Sequence, residues 1–397
     1  MKKTFIAAFV AICLISSCSS GSREFIVADI DAPTGTVDMK LSDLLSDIKI
    51  VPLETGEGTP LISDGGFRIS GKYIVHYGVS AVHLFDSNGK YLRLLAVAGG
   101  GPNEFRSIYR LLIDDSRDVI YYSDSKSNTN IYRIDLLSGK HLEPLEVLLD
   151  GKSFSYVDLD NSGNIYGFFA EGAMNMFSSG ASKDNEGDPY IAHRYNVENN
   201  TIEGIEAPAV FSSTGMNRSI AKREESIYIY DSSCADTLFS YSKGVLSPVM
   251  GIKMRDVLTD PMTGGYNLNI YLAGSNGLLF RHVYTKIDVV TDASGEISSI
   301  SVRKPTGSYL FADKNSGELL TVRSLYIDPL GTTVDVEPVR VSGDYGFYLI
   351  DAYKIEDMIE ESLAEDRLSA QERKSLESLT ASITEDSNPV IITGKIR

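Results

Sequence analysis

Leu84-Phe85-Asp86-Ser87-Asn88-Gly89-Lys90 is an apolar strand that runs into a tight turn. Asp and Asn side chains bond the backbone of turns, and an Asn-Gly pair supplies the positive φ angles that a hairpin needs. The same layout returns at Tyr132-Arg133-Ile134-Asp135-Leu136-Leu137-Ser138-Gly139-Lys140, 50 residues further on. Tyr195-Asn196-Val197-Glu198-Asn199-Asn200-Thr201 reads as a third copy and Tyr241-Ser242-Lys243-Gly244 as a fourth. Leu310-Phe311-Ala312-Asp313-Lys314-Asn315-Ser316-Gly317-Glu318 is a fifth. The step from Gly244 to Gly317 is 73 residues, which calls for an insertion, placed at a hairpin around Asp292-Ala293-Ser294-Gly295.

Around these turns the chain is β throughout. Tyr73-Ile74-Val75-His76-Tyr77, Val119-Ile120-Tyr121-Tyr122 and Ser226-Ile227-Tyr228-Ile229-Tyr230 are short runs of β-branched and aromatic residues bounded by turn residues. No long amphipathic pattern interrupts them before residue 355, which argues against βαβ units. A period near 50 in an all-β chain is the signature of a four-stranded propeller blade. Roughly 300 to 350 residues at that period give about six or seven blades, and a six-bladed β-propeller fits better because both ends contain other material. A β-sandwich is the alternative, but it leaves the recurring strand–Asp–turn–Gly unit unexplained.

The two ends differ from the repeat. Lys2 and Lys3, an apolar run from Phe5 to Ile15 and Ser16-Ser17-Cys18 make an export signal too short to span a bilayer. Cys directly after the small residues places cleavage before Cys18 and a lipid on it. Residues 1–17 are then the signal peptide and 18–36 the lipidated Cys and tether, with the propeller over 37–397. Met39 to Leu53 reads as a helical turn followed by a strand. At the other end, Ser369-Ala370-Gln371-Glu372 is a capping box, and Leu376, Leu379 and Ile383 fall on one helical face. This predicts a helix over about 369–387, stopped at Asn388-Pro389, and a closing strand over 390–396 that completes one blade with strands from the N-terminal end.

With 397 residues, 43% of them hydrophobic, the chain can bury a large core. Loss of Lys2 and Lys3 lowers the net charge from −17 to about −19. So acidic a body is a poor partner for nucleic acid and for anionic headgroups, so the lipid does the anchoring. Glu24 is the only acidic residue among 19–24, which points to the periplasmic face of the outer membrane rather than the cell surface. Once Cys13 leaves with the signal, Cys234 has no disulfide partner, and it reads as a small strand residue.

Gly99-Gly100-Gly101-Pro102-Asn103-Glu104-Phe105 follows the first hairpin. Together with the Cys18 motif, the strand–Asp–turn–Gly-Lys unit and the late Asn-Pro-Val-Ile-Ile strand, it resembles the six-bladed β-propeller lipoproteins of Bacteroidota, distant relatives of NHL-type propellers. The resemblance covers the mature chain, and Asn103 departs from the Gly usual in that family. It implies a fold and a cell-envelope location, and no catalytic constellation.

The Gly99–Phe105 segment lacks the Lys-Ser/Thr ending of a phosphate loop and reads as a tight crossing between blades. Glu104, Phe105 and Arg106 then become candidates for a binding face at the channel mouth. Asp158-Leu159-Asp160-Asn161-Ser162-Gly163-Asn164 imitates an EF-hand start, but position 12 would be Phe169 in place of Glu, so it reads as a β-turn. His76, His83, His141, His193 and His282 have no metal-ligand spacing, and no metal or cofactor is expected. Acidic pairs such as Asp114-Asp115 read as solvated turns, and residues 170–189 as a long polar loop or insertion. The sequence thus describes a monomeric envelope lipoprotein that binds an unidentified protein or small molecule without chemistry. The alternative is a glycan hydrolase or lyase using axial carboxylates, and a third class is a structural subunit of an outer-membrane complex.

Overall fold

The structure, a computed structural model, describes residues 26–62, 65–127, 130–146, 154–159, 163–169, 190–206, 218–231, 236–243, 245–255, 265–285, 287–291, 297–302, 306–335, 339–364 and 368–397. Cys18, Cys234 and the loop 170–189 lie outside the described residues. The chain opens with β1 (Val27–Asp29), β2 (Gly35–Lys40), the single turn α1 (Leu41–Leu44) and β3 (Leu45–Pro52). Four antiparallel sheets follow in chain order. The first holds β4 (Gly66–Ile69), β5 (Tyr73–Tyr77), β6 (Ala81–Asp86) and β7 (Tyr91–Val97). The second holds β8 (Ile108–Asp114), β9 (Val119–Asp124), β10 (Asn130–Asp135) and β11 (His141–Glu146). The third holds β12 (Phe154–Leu159), β13 (Ile165–Phe169), β14 (Tyr190–Asn196) and β15 (Thr201–Glu206). The fourth holds β16 (Arg218–Arg223), β17 (Ser226–Asp231), β18 (Thr237–Ser242) and β19 (Val245–Lys253).

The fifth sheet is interrupted. β20 (Gly265–Ala273) and β21 (Gly277–Thr285) are followed by a separate hairpin of β22 (Ile287–Thr291) and β23 (Ile297–Val302). The chain then returns to pair β24 (Thr306–Asp313) with β21 and β25 (Leu319–Ile327) with β24, and β26 (Thr332–Asp335) folds back on β25. That hairpin is the insertion implied by the 73-residue step. β27 (Arg340–Ser342) and β28 (Tyr345–Ile350) come next, then α2 (Ala352–Ala364), α3 (Ala370–Thr380) and β29 (Val390–Ile396).

The last sheet has the order β27-β28-β29-β3, so it joins both ends of the chain. Among the described residues, apolar clusters fill five of the junctions between neighbouring sheets. Phe67, Ile74 and Phe85 of the first blade pack with Val51, Phe347 and Ile391 of the mixed sheet. Val75, Leu84 and Leu111 join the first and second blades, and Tyr121, Leu159 and Tyr195 the second and third. Leu238, Met250, Leu268 and Phe280 join the fourth and fifth. Leu279, Leu325, Tyr348 and Ile392 join the fifth to the mixed sheet, with Ile355, Ile359 and Leu376 of the two helices packed on them. This is an all-β propeller of four-stranded blades. The blade count is five rather than the six expected: each of the five is cut from one run of chain, and the mixed sheet is assembled from its two ends.

The repeat now has a physical meaning. All five copies are the turn between the third and fourth strands of a blade. The Asp86 Oδ1 atom accepts the Asn88 and Lys90 N–H groups at 2.9 and 3.0 Å, and Asp313 Oδ1 accepts those of Asn315 and Ser316 at 2.7 and 2.8 Å. Asn196 takes the Asp position in the third copy and accepts from Glu198 and Asn199. One residue per turn adopts positive φ: +86° at Gly89, +75° at Gly139 and +76° at Gly317. Asn88 does not, so the first turn is a carboxylate-capped loop with one left-handed residue and not a two-residue Asn-Gly hairpin.

Two further boundaries move, and one helix is new. The tether expected over 18–36 is too long, because β1 adds in parallel to β19 and β2 in parallel to β25. Both strands cover outer edges that would otherwise expose unpaired backbone groups. α3 starts at its capping box, where Ser369 Oγ accepts the Glu372 N–H and Glu372 accepts the Ser369 N–H, but ends at Thr380 rather than 387. α2 was not anticipated, although Ile355 and Ile359 give it a buried stripe.

Candidate functional site

The first strand of each blade lines the axis. Along β4, Phe67 and Ile69 point into the core, which turns Gly66 and Arg68 to the other face. Two connected chambers result. The larger, about 510 Å³, lies at the end where these strands begin and is lined by Gly66, Arg68, Tyr77, Asn269, Tyr271 and Arg340. The smaller, about 330 Å³, lies where they end and is lined by Ser70, Asp114, Asp115, Lys222, Asp344 and Tyr345. Arg68, Ile220, Tyr271 and Val341 line both.

Arg68 is fixed by its neighbours. Its Nε donates to the Leu111 carbonyl and its Nη1 to the Phe67 carbonyl, both at 2.9 Å. The guanidinium carbon sits 5.5 Å from the centre of the Tyr77 ring. Burial, with Tyr309 nearby, pushes the Tyr271 hydroxyl up to about 12, against the pull of Arg281 and Arg340. Burial and then Asp115 and Asp344 raise Tyr345. Both phenols therefore stay protonated and available as donors.

The carboxylates of the smaller chamber serve its turns. Asp114 is buried, and its Oδ1 accepts Ser116 N–H and Oγ–H at 2.9 and 2.6 Å while Oδ2 takes Arg117 Nη1 at 2.8 Å. Burial alone would raise this carboxyl, but the Ser116 and Arg117 bonds outweigh it and hold it below the usual range. Asp115 accepts Ser70 Oγ–H at 2.6 Å and Gly71 N–H at 2.8 Å, tying the first blade to the second. Arg117 continues to Glu198 of the third blade at 2.9 Å. A Cβ at Gly163, where φ is +73°, would stand 1.7 Å from Arg117 Nη1, so this glycine lets the turn close against the ion pair. Asp344 differs, because its Oδ1 is buried without a hydrogen-bond partner. Asp114 is thus buried and Asp115 half-buried, and the pair links blades where a solvated turn was expected.

Glu104, Phe105 and Arg106 do not form a face together. Ala98 bridges Phe105 in parallel, Gly99 N–H donates to the Phe105 carbonyl at 2.8 Å, and Phe105 is 1% exposed in the core between the first two blades. Glu104 folds back to accept the Gly101 N–H at 2.7 Å, and Lys126 donates to the Gly101 carbonyl at 2.8 Å and bonds that of Glu104. The buried Asp124 carboxylate caps the Arg106 and Ser107 N–H groups. Only the Arg106 side chain remains exposed, so this segment is the crossing between blades. The axial residues were missed because they come from strands far apart in sequence. His76 and His83 pair across β5 and β6 with rings stacked 6.0 Å apart, inside a ladder from Phe67 to Tyr91. Among the described residues no group of three or more His, Cys, Asp or Glu is placed to hold a metal. Asp160 to Ser162, the middle of the EF-hand-like stretch, lie outside the described residues.

Comparison with known proteins places this architecture. The domain of unknown function DUF4934 matches residues 25–395. The chain belongs to the DUF4934 family. The match starts ahead of β1 and takes in the mixed sheet, so the family unit is the whole ring with its edge strands. A crystal structure of a Bacteroides fragilis NCTC 9343 protein assigned as exported is similar over 94% of this chain and 100% of that one, with a TM-score of 0.55 and 13% identity. The N-terminal domain of Nup159 is similar over 82% and 77%, at a TM-score of 0.43 and 9% identity. The extracellular domain of a Bacteroides thetaiotaomicron protein assigned as a one-component system covers 74% and 40%, at 0.35 and 12%. The first likeness bears on the fold and on nothing else. No curated protein matches the sequence. Among the described residues no helix is long and apolar enough to cross a membrane.

Proposed function

We propose that this DUF4934 protein is an exported lipoprotein of the cell envelope, anchored through Cys18, whose propeller binds a ligand at its axis without transforming it. The mixed sheet acts as a sixth blade, and the lipid holds the ring at the periplasmic face of the outer membrane. The observation that carries this reading is the axial cavity, whose charged walls come from several blades and are held by bonds between them. Propellers host many activities, so the argument rests on the site and not on the fold. Asp114 is held ionised by its own turn and Asp115 is spent on Ser70 and Gly71, which is the behaviour of structural carboxylates. A general acid would need an upward shift.

Two experiments test it. Protein purified from its native envelope should release a small molecule on denaturation, detected by mass spectrometry. Ile220→Trp, which fills the axis where the chambers meet, should come out empty while keeping its far-ultraviolet spectrum. If the filled variant carries the same molecule, the axial site is wrong. Cys18→Ala should move the protein to the soluble fraction, and continued membrane fractionation would remove the anchor. The second reading, a glycan hydrolase or lyase, draws on one observation, the unpartnered Asp344 Oδ1 at the cavity. Turnover of an envelope glycan, abolished by Asp344→Asn, would establish it in place of binding.

A further inference from the structure

The two axial chambers differ in the sign of their walls. The smaller one sets three carboxylates, Asp114, Asp115 and Asp344, beside Lys222 and the shared Arg68. The larger one has Arg68 and Arg340 and no carboxylate, although the chain carries 54 acidic residues against 37 basic ones. In so acidic a protein, a cavity whose polar lining is arginine and neutral groups, set among apolar side chains such as Ile220 and Val341, is where negative charge can be held.

The donors of this chamber are also only partly committed. Arg68 spends Nε and Nη1 on two carbonyls, which orients the guanidinium and leaves Nη2. Arg340 is exposed at the start of β27, and among the described residues no carboxylate pairs with it. Arg117 and Arg323, by contrast, are paired with acids. Tyr271 and Asn269 present a hydroxyl and an amide to the same space. Arginine is the side chain best suited to a carboxylate or phosphate, because its planar fork matches their geometry. A cavity of about 510 Å³ holds far more than a bare ion.

We propose that the larger axial chamber is an anion site, which takes a small molecule by a carboxylate or phosphate group through Arg68 and Arg340, with Tyr271 and Asn269 donating beside them. This rests on the axial-binding reading and names its ligand class. The body of the ligand lies along Tyr77 and the axis, and its charge faces away from Asp114 and Asp344. Arg340 is the accessible partner and Arg68 the fixed one.

Thermal unfolding and calorimetry on the purified soluble Cys18→Ala chain test this, with phosphate, glucuronate and neutral glucose as probes at matched ionic strength. Phosphate or glucuronate should raise the melting temperature and bind, with glucose doing neither. Arg340→Gln touches no core contact and should weaken binding by about tenfold or more, the scale of one charge-assisted contact. Asp344→Asn should leave it unchanged. Arg68→Lys keeps the charge and loses the fork, and should also weaken binding. If Arg68→Lys fails to fold, Arg340→Gln decides alone. Glucose binding as tightly as glucuronate, equal binding by Arg340→Gln, or no response to either anion overturns the proposal. The wider axial reading is judged apart from this by the Ile220→Trp comparison, which makes no assumption about charge.

Discussion

Asn388 closes the ring, and its removal should be among the most damaging single changes outside the apolar core. It is 2% exposed and stands just before β29. Its Oδ1 accepts the Ile62 N–H at 2.7 Å, and its Nδ2 donates to the carbonyls of Glu54 and Pro60 at 2.7 and 2.9 Å. One side chain thus pins the chain between β3 and β4 to the C-terminal strand. Asn388→Ala deletes these bonds and strands three backbone groups. At about 1 kcal/mol for each bond and a further ~1–2 kcal/mol for buried groups left unsatisfied, the loss is about 4–5 kcal/mol. Asn388→Asp keeps the acceptor for Ile62 but aims a carboxylate at two carbonyls. Its folded pKa would rise above the unfolded value. The deficit should therefore be greatest above the folded pKa and shrink as pH falls through it, when a protonated carboxyl can donate again. Urea unfolding at several pH values, read with a common m-value, measures both. A loss below about 1 kcal/mol for the Ala variant, or a pH-independent Asp variant, would refute the reasoning.

Gly89→Ala and Gly139→Ala share a positive φ, +86° and +75°, but a Cβ at 89 would stand 2.2 Å from the Pro52 carbonyl oxygen, whereas at 139 the nearest atom is 3.4 Å away. Urea unfolding should show about 1–2 kcal/mol of backbone strain for Gly139→Ala and clearly more for Gly89→Ala, and equal losses would contradict the packing given for the first turn. Ser342 Oγ donates to the Ile69 carbonyl and accepts the Ile69 N–H, each at 2.8 Å, between the mixed sheet and the first blade. Ser342→Ala should lower stability by about 2 kcal/mol in the same assay, and a neutral result would remove that link. The Arg323 and Ser324 side chains hold Asp38 at about 2. A group lowered in the folded state adds stability above its unfolded pKa and loses it as pH falls through the folded one, here from near 4 down to about 2. Carbon-detected titration should find Asp38 low in the wild type and raised towards the ordinary ~3.9 in Arg323→Gln, short of it because Ser324 still donates, and an unmoved value would exclude this pairing.

Local chemistry made most of the fold legible. The Asp–turn–Gly units are legible because each turn satisfies itself with its own carboxylate and its own left-handed residue. The capping box at Ser369 and the strand after Pro389 are local in the same sense. β1 and β2 were not legible, since each adds to an edge more than 200 residues away, Val27 opposite Gly251 and Gly35 opposite Leu320. The period gave the blades their length, while the strand after Pro389, and not the period, pointed to a last sheet shared between the two ends. The site suffers from the same distance. Arg68, Asn269, Tyr271 and Arg340 are unremarked strand residues until the ring brings them to one axis. Phe105 shows the converse, a residue in a conspicuous loop whose ring belongs to the core.

The central claim is that both ends of the chain lock one ring around the axial chambers. Native-state hydrogen exchange tests it most directly. Ile391 and Ile392 lie ten residues or fewer from the C-terminus, yet both are fully buried between β28 and β3. Their amides should exchange only through global unfolding, with the same free energy and denaturant dependence as Val75 in the first blade. If they exchange through a cheaper local opening while Val75 stays protected, the ends fray and the ring is not closed as described.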